Sequence, residues 1–526
     1  MEFAVVSVAM LRCYGRALVV NCDLSYGSLI GALVNMTGAD ARPKGTRMPA
    51  QWDLIVIGSG SAGIVASKTA ARFGARVLLL ERHRLGGDCL WTGCVPSKSL
   101  IAAAHAAHVA RTSERFGITA ENVTVDFARA MGHVRDAVAT IEPHDSAEAF
   151  AELGIQVASG DARFTGRNTL EIDGTPHTFV QAVIATGTEP QLPVFSGSDG
   201  LDMLTSDSIW ELDELPERLV VLGGGAIGSE LGQAMARLGS EVTIVNRNAR
   251  ILSSEDERSS AILQASFDRD GITVLHGRTA TSATSNDRLA GELVLDDGTR
   301  LPFDRLLAAV GRSTRLGSLA PEAAGVAVTQ HDYIEVDASL HTTNKRIWAA
   351  GDAAGLPKFS HVAGVSGSVA GTNAALGLRR KFNEQVVPRV TFTAPEIAAV
   401  GITPADAVEG KHRVYTAEHA STDRAIAEAE DDGYAQIVVD SRGRVLGGTI
   451  VGPRAGESLG ELTVAVSAKL STSTLAGATH AYPTFTDALW NAAIADVQYR
   501  LQHGIVKSGI QLLARVRRAT LGRTGR

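Results

Sequence analysis

The chain of 526 residues carries 50 Lys and Arg against 57 Asp and Glu, a net charge of −7, with 45% hydrophobic and 20% charged residues. This is the profile of a folded protein of several domains; it lacks the basic footprint of sequence-independent nucleic-acid binding, and no apolar run reaches the ~18 residues of a spanning helix. Four cysteines, Cys13, Cys22, Cys89 and Cys94, are too few to staple a secreted scaffold and fit a reducing compartment, so a cytoplasmic location is expected.

Residues 1–50 hold short apolar runs without sustained periodicity, and Glu2 is the only charge ahead of the first run. They read as a leader, disordered or an over-extended start with Met48 as the first residue; a targeting peptide is the lesser reading. From Asp53 the pattern changes. Residues 54–57 predict a buried strand, Gly58-Ser59-Gly60-Ser61-Ala62-Gly63 a turn, the Ala-rich stretch to Phe73 a helix, and 76–80 a second strand ending at Glu81. Such glycines let backbone N–H groups reach a pyrophosphate at a helix N-terminus, and Glu81 sits where a carboxylate accepts bonds from a ribose diol. The plain alternative is an ordinary tight turn.

The same grammar returns at 218–222, Gly223-Gly224-Gly225-Ala226-Ile227-Gly228, a helix to Leu238 and a strand over 241–245. No acid ends this strand; Asn246, Arg247, Asn248 and Arg250 follow. Arginines there pair with a 2′-phosphate, which places NADPH ahead of NADH, unless they are only solvated loop charges.

Between the two units lies Gly86-Gly87-Asp88-Cys89-Leu90-Trp91-Thr92-Gly93-Cys94-Val95-Pro96-Ser97-Lys98. A structural zinc site needs four ligands, and no further cysteines follow. Pro96 suits a first helical turn, which sets Cys94 near a helix N-terminus where the dipole favours the thiolate. A redox-active dithiol is expected, with two inert buried thiols as the alternative. Beyond Pro388, short strands (437–439, 445–451) and Ala-rich helices indicate a third, α+β domain. After Val497 come seven Lys and Arg and no acid, with Leu501, Ile505, Leu512 and Val516 at helical spacing. The first reading of this tail is packing on its own subunit or fraying; the second is a helix on an acidic membrane surface.

Further motifs follow in order: Ala185-Thr186-Gly187, Val310-Gly311-Arg312, Ile347-Trp348-Ala349-Ala350-Gly351-Asp352, Phe392-Thr393-Ala394-Pro395-Glu396-Ile397-Ala398, Gly448-Thr449-Ile450-Val451-Gly452 and Ala455-Gly456-Glu457. With them, the chain from about Trp52 to Ala493 resembles the class I pyridine nucleotide–disulfide oxidoreductases. Within that family it resembles mercuric reductases most, with dihydrolipoyl dehydrogenase and glutathione reductase related. The resemblance implies an α/β fold of two Rossmann-like dinucleotide-binding domains, for FAD and NAD(P)H, plus a C-terminal α+β dimerisation domain. The expected boundaries are FAD-binding 51–195 and 326–387, NAD(P)H-binding 196–325, dimerisation 388–496 and a basic tail 497–526. It further implies a homodimer, and a relay from nicotinamide through FAD to a Cys89–Cys94 disulfide, with Cys94 beside the flavin and Cys89 outermost. Lys98 and Glu230 match the family's ion pair near the flavin, and Asp352 the residue on its ribityl chain. The other cofactor-binding positions implied are Gly58, Gly60, Ser61, Ala62, Gly63, Glu81, Arg82, Gly87, Asp88, Thr186, Gly187, Gly223, Gly225, Ala226, Ile227, Gly228, Arg247, Gly311, Arg312 and Gly351. Ala226 stands where glutathione reductases carry an aromatic lid.

One segment departs from the disulfide-reducing members, whose partner subunit supplies a catalytic histidine. Here Tyr482 occupies the histidine position, Asp487 the carboxylate position, and His480 falls two residues early. A phenol with a pKa near 10 shuttles protons poorly at neutral pH. Tyrosine there resembles mercuric reductases and soluble transhydrogenases, and the latter lack the cysteine pair; Asp423-Arg424-Ala425 also fits the former. The vicinal C-terminal cysteines and N-terminal capture domain of dedicated mercuric reductases have no counterpart in the sequence. The expected acceptor is a soft metal ion held transiently by Cys89 and Cys94, or a small oxidant such as a quinone, with no structural metal. The alternative enzyme is dihydrolipoyl dehydrogenase or another disulfide reductase using His480 or water as the acid. A flavoprotein redox sensor is the non-enzymatic reading.

Overall fold

The computed structural model describes residues 51–314 and 316–521; residues 1–50, Cys13 and Cys22 among them, and residues 522–526 lie outside the described residues. Strand β1 (Trp52–Ile57), helix α1 (Ser61–Arg72) and strand β2 (Val77–Glu81) form the first unit, and the body of each strand is buried on both faces. Two-sided burial is why these strands are uninterrupted apolar runs rather than alternating ones. Helix α2 (Gly87–Trp91), helix α3 (Cys94–Arg111) and helix α4 (Phe127–Ile141) follow, then strands β3 (Ile155–Ser159), β4 (Ala162–Gly166), β5 (Thr169–Ile172) and β6 (Thr175–Ile184). The sheet runs β3-β2-β1-β6-β5-β4. Chain order reverses between β1 and β6, which opens a crevice at their C-terminal ends.

The second unit is strand β7 (Arg218–Leu222), helix α5 (Ala226–Leu238) and strand β8 (Glu241–Asn246), continued by helix α6 (Glu257–Arg269) and strand β9 (Thr273–His276). An antiparallel sheet of β10 (Ala280–Ser285), β11 (Gly291–Leu295) and β12 (Arg300–Phe303) leads to strand β13 (Arg305–Ala308). The parallel order is β9-β8-β7-β13, again with its reversal beside the glycine turn. Strand β14 (Ile347–Ala349) then returns to pair with β6, so the first sheet is completed by residues some 160 positions downstream. Helix α7 (Ser360–Leu376) packs across α1.

The third body is an antiparallel sheet ordered β15-β16-β19-β18-β17: β15 (Arg389–Thr391), β16 (Glu396–Gly401), β17 (His412–Glu418), β18 (Tyr434–Asp440) and β19 (Val445–Gly452). Helices α8 (Ala455–Ser467), α9 (Thr472–Gly477) and α10 (Asp487–Gln502) cover it. One apolar core joins the three bodies, with Leu100 of α3, Leu231 of α5, and Ile397 and Tyr434 of the third sheet in the same cluster. The last element, α11 (Gly504–Leu521), follows an extended residue, His503, and every described side chain from 507 to 521 is exposed. Of the two tail expectations, burial on the chain's own core is not seen over residues 507–521. The tail is helical, but the extended turn at His503 carries it clear of the cores already filled by α8 and α10.

Candidate active site

Both glycine turns are built alike. Gly58 has φ 101° and Gly223 φ 114°, the left-handed region that side chains disfavour. A Cβ on Gly63 would sit 1.8 Å from the Gly58 carbonyl oxygen, and one on Gly228 would sit 2.0 Å from that of Gly223. Each helix therefore starts hard against the end of its strand, aiming its first N–H groups into the crevice. At the first turn Glu81 holds the loop: one oxygen accepts from the Ser59 N–H at 3.0 Å and its hydroxyl at 2.6 Å, the other from the His83 N–H at 2.8 Å.

A cavity of about 1330 Å³ opens from this turn. Its walls include Gly58, Gly60, Ser61, Ala62, Glu81, Arg82, Gly87, Asp88, Cys89, Cys94, Lys98, Thr186, Gly187, Ala226, Ile227, Glu230, Arg312, Gly351 and Asp352. Residues from both glycine-turn units thus face one space. Gly63, Gly223, Gly225 and Gly228 lie behind that wall in the turns themselves, and Gly311 (φ 137°) precedes Arg312. Asp352 accepts from the Thr188 hydroxyl at 2.7 Å. Arg312 donates to the Thr188 hydroxyl and carbonyl at 3.0 and 2.8 Å, to Ser206 at 3.2 Å, and to the Asp88 carboxylate. Burial nevertheless raises the Asp88 carboxyl to about 6, against the pull of Arg312.

Cys89 rides on α2, and Cys94 opens α3 with Pro96 buried in its first turn, both as free thiols. The Cys94 sulfur lies 2.9 Å from the Ser360 hydroxyl, the first residue of α7. Two helix N-termini therefore meet at one sulfur atom, and each favours negative charge there. The thiols hydrogen-bond to each other. The bond from Cys89, then the Ser360 hydroxyl and the Lys98 charge, lower the Cys94 pKa to about 6 although burial opposes them. The bond to Cys94, and burial, push Cys89 up. In the dithiol state the negative charge belongs on Cys94 and the proton on Cys89. Behind them, Lys98 Nζ bonds Glu230 Oε2 at 2.9 Å and lies 4.1 Å from the Phe392 ring centre. Glu230 Oε1 accepts the Phe392 N–H at 2.9 Å, while the Trp210 indole N–H donates to the Thr92 carbonyl at 3.0 Å and the Ser206 carbonyl at 2.6 Å.

Sequence comparison matches the pyridine nucleotide-disulphide oxidoreductase family over residues 52–367 and its dimerisation domain over 387–493. The chain belongs to the pyridine nucleotide-disulphide oxidoreductase family. It is 36% identical over 457 residues to a mercuric reductase of Streptomyces lividans, covering 84% of this chain and 95% of that one. It is 35% identical over 455 residues to a dihydrolipoyl dehydrogenase of Thermus scotoductus, covering 84% and 97%. Among solved structures, the Cu(II) complex of the HOCl-induced flavoprotein disulfide reductase RclA from Escherichia coli superposes with a TM-score of 0.76 at 26% identity, covering 85% of this chain and 100% of that one. The two dinucleotide-type units and the C-terminal dimerisation domain are those of this oxidoreductase family.

FAD is the flavin the family implies, and the residues fit it. The cavity is large enough, the Gly58–Gly63 turn forms a cradle a Cβ would fill, and two buried hydroxyls on its wall, Thr92 Oγ1 and Thr186 Oγ1, have no partner among the described residues.

Not every expected residue joins this oxidoreductase site. Arg247 is exposed just after β8, while Arg250 is spent on the carbonyls of Leu252, Ser253 and Glu255 and on the Ser260 hydroxyl. The Tyr482 hydroxyl donates to Asp423, which raises its pKa, and the ring is exposed. Asp487 accepts from the Thr484 N–H at 3.0 Å and hydroxyl at 3.2 Å. His480 bonds Glu461 at 2.9 Å and stacks on Trp490; burial opposes its charge, but the Glu461 bond prevails and raises its pKa. Within the chain these three stand apart from Cys89 and Cys94, and neither Tyr482 nor His480 bonds Asp487. Three contributors carry no sequence signal: Ser360, Thr188 and Trp210 each reach the site through a partner more than a hundred residues away.

Proposed function

We propose that the chain is an FAD-dependent NAD(P)H oxidoreductase that reduces its own Cys89–Cys94 disulfide and passes the two electrons to a soft metal ion or a small oxidant such as a quinone. The observation that carries this reading is the Cys94 sulfur held between two helix N-termini and the Ser360 hydroxyl, with Lys98–Glu230 behind it. Bound FAD supplies hydride acceptance from nicotinamide and two-electron reduction of the disulfide. Lys98 holds positive charge beside the site where negative charge accumulates, and Glu230 fixes its position. Cys94 keeps the thiolate; Cys89 keeps the proton until it engages the acceptor. A divalent soft ion bridged by both sulfurs takes two electrons as the S–S bond forms and the remaining thiol proton leaves. No acid is needed to protonate a departing thiol, so Tyr482 in place of histidine costs this chemistry little.

The similarity to mercuric reductases and to a reductase solved with Cu(II) supports a metal acceptor. NADPH is the proposed donor on the exposed Arg247, with NADH as the alternative. The dihydrolipoyl dehydrogenase reading rests on comparable identity to such enzymes. A panel of Hg(II), Cu(II), a quinone and lipoamide, each run with NADPH and with NADH, tests the assignment. Turnover of the ions or quinone is expected to exceed that of lipoamide; lipoamide at equal rates reverses the ranking. Anaerobic NADPH is expected to raise a long-wavelength thiolate–flavin band that Cys94→Ser abolishes, and a band persisting in that variant sinks the assignment of Cys94.

A further inference from the structure

We propose that helix α11 docks the protein on an anionic phospholipid surface. The helix begins beyond residue 493, where the dimerisation-domain match ends, so the family fold does not account for it. Around its axis Ile510, Leu512, Leu513 and Val516 share roughly half the circumference. Each is between 42% and 71% exposed, so none of these apolar side chains is buried among the described residues. Lys507, Gln511, Arg515 and Arg518 take the other half, while Arg517 falls inside the apolar arc with a stem long enough to reach its rim.

Charge selects the occupant. No Asp or Glu follows Asp496, and Lys507, Arg515, Arg517, Arg518, Arg523 and Arg526 concentrate positive charge at one end of a chain whose net charge is −7. A second copy of the same helix would set arginine against arginine. An anionic lipid surface meets both halves at once, with apolar side chains entering the acyl boundary and cations lying at the headgroups. No described helix is long and apolar enough to cross a membrane, so the contact is interfacial.

The test is co-sedimentation of the flavin-loaded full chain with vesicles of phosphatidylcholine alone or mixed with an equal part of phosphatidylglycerol. Binding to the mixed vesicles is expected to exceed that to phosphatidylcholine by about tenfold or more and to weaken with salt. It should disappear in a chain ending at Gln502 and in Leu512→Gln/Leu513→Gln, both with flavin spectrum and NADPH oxidation intact. The double variant keeps the test valid if the shortened chain folds poorly. Absence of binding to the mixed vesicles, or binding equal in the full and shortened chains, overturns the proposal. So does a shortened chain that sediments as a smaller oligomer while the full chain ignores lipid, since the helix would then join copies of this protein.

Discussion

At Cys94 the decisive neighbour is a hydroxyl. Ser360 sits 2.9 Å from the sulfur and its helix adds a second positive dipole end. A hydrogen bond to a charged group contributes about 1.5–3 kcal/mol, and one pKa unit corresponds to roughly 1.4 kcal/mol. Ser360→Ala is therefore expected to move the Cys94 thiolate up from about 6 by about one unit or more. The sign is definite. Removing a group that stabilises the anion narrows the pH range in which the anion exists, so the long-wavelength band should appear only at higher pH. A pH titration of that band in the reduced protein checks it, and an unchanged midpoint refutes the role given to Ser360. The cysteine pair was legible because two thiols so close together, with Pro96 behind the second, leave few other readings. Ser360 was not, because nothing in Phe359-Ser360-His361 indicates which sulfur, 266 positions away, it will meet.

The two strand–turn–helix units have one backbone geometry and separate proposed tenants. At each, the sixth residue of the turn packs against the carbonyl of the first, within 2.0 Å of a would-be Cβ. Gly63→Ala must shift the start of α1 and is expected to give protein with little bound flavin, read from visible absorbance against protein concentration. Gly228→Ala shifts α5 instead. It is expected to retain the flavin while the KM for NADPH rises about tenfold or more, the scale of losing one or two good hydrogen bonds to a phosphate. Flavin loss in both variants, or in neither, would contradict separate tenancy. These elements were legible because glycine spacing and apolar runs are local signals. The pairing of β14 with β6 was not local, and the resemblance alone placed Ile347–Ala349 in the first domain. Sequence periodicity marked the tail as helical but not what it lies against, since an amphipathic stripe looks the same facing a core or a lipid.

Across the whole molecule, α5 is where the three bodies meet. Its Glu230 holds Lys98 of α3 and the Phe392 N–H, and Gln233 brackets Ala394 with bonds of 2.7 and 2.9 Å. The far side of the third body is closed by Asp496, wholly buried, with Arg413 at 3.0 Å, Arg500 at 2.8 Å and the Thr472 hydroxyl on its carboxylate. Burial works against that charge, but Thr472 and the two arginines prevail and hold its pKa below the usual range. A carboxylate whose folded pKa is depressed stabilises the fold above its unfolded value, near 3.9, and loses that contribution as pH falls through the folded pKa. Asp496→Asn is expected to cost about 2 kcal/mol at neutral pH. The gap in Tm from the parent should narrow below about pH 4; a gap independent of pH would show that Asp496 carries no charge in the fold. Trp210 has a consequence of another kind. Its indole is pinned to the Thr92 carbonyl between the two cysteines and to Ser206 on the path into β7. Any opening of the second nucleotide unit away from the dithiol must release that ring to water and redden its emission. The molecule thus contains its own optical gauge, placed to report in real time when the two halves of the electron path part.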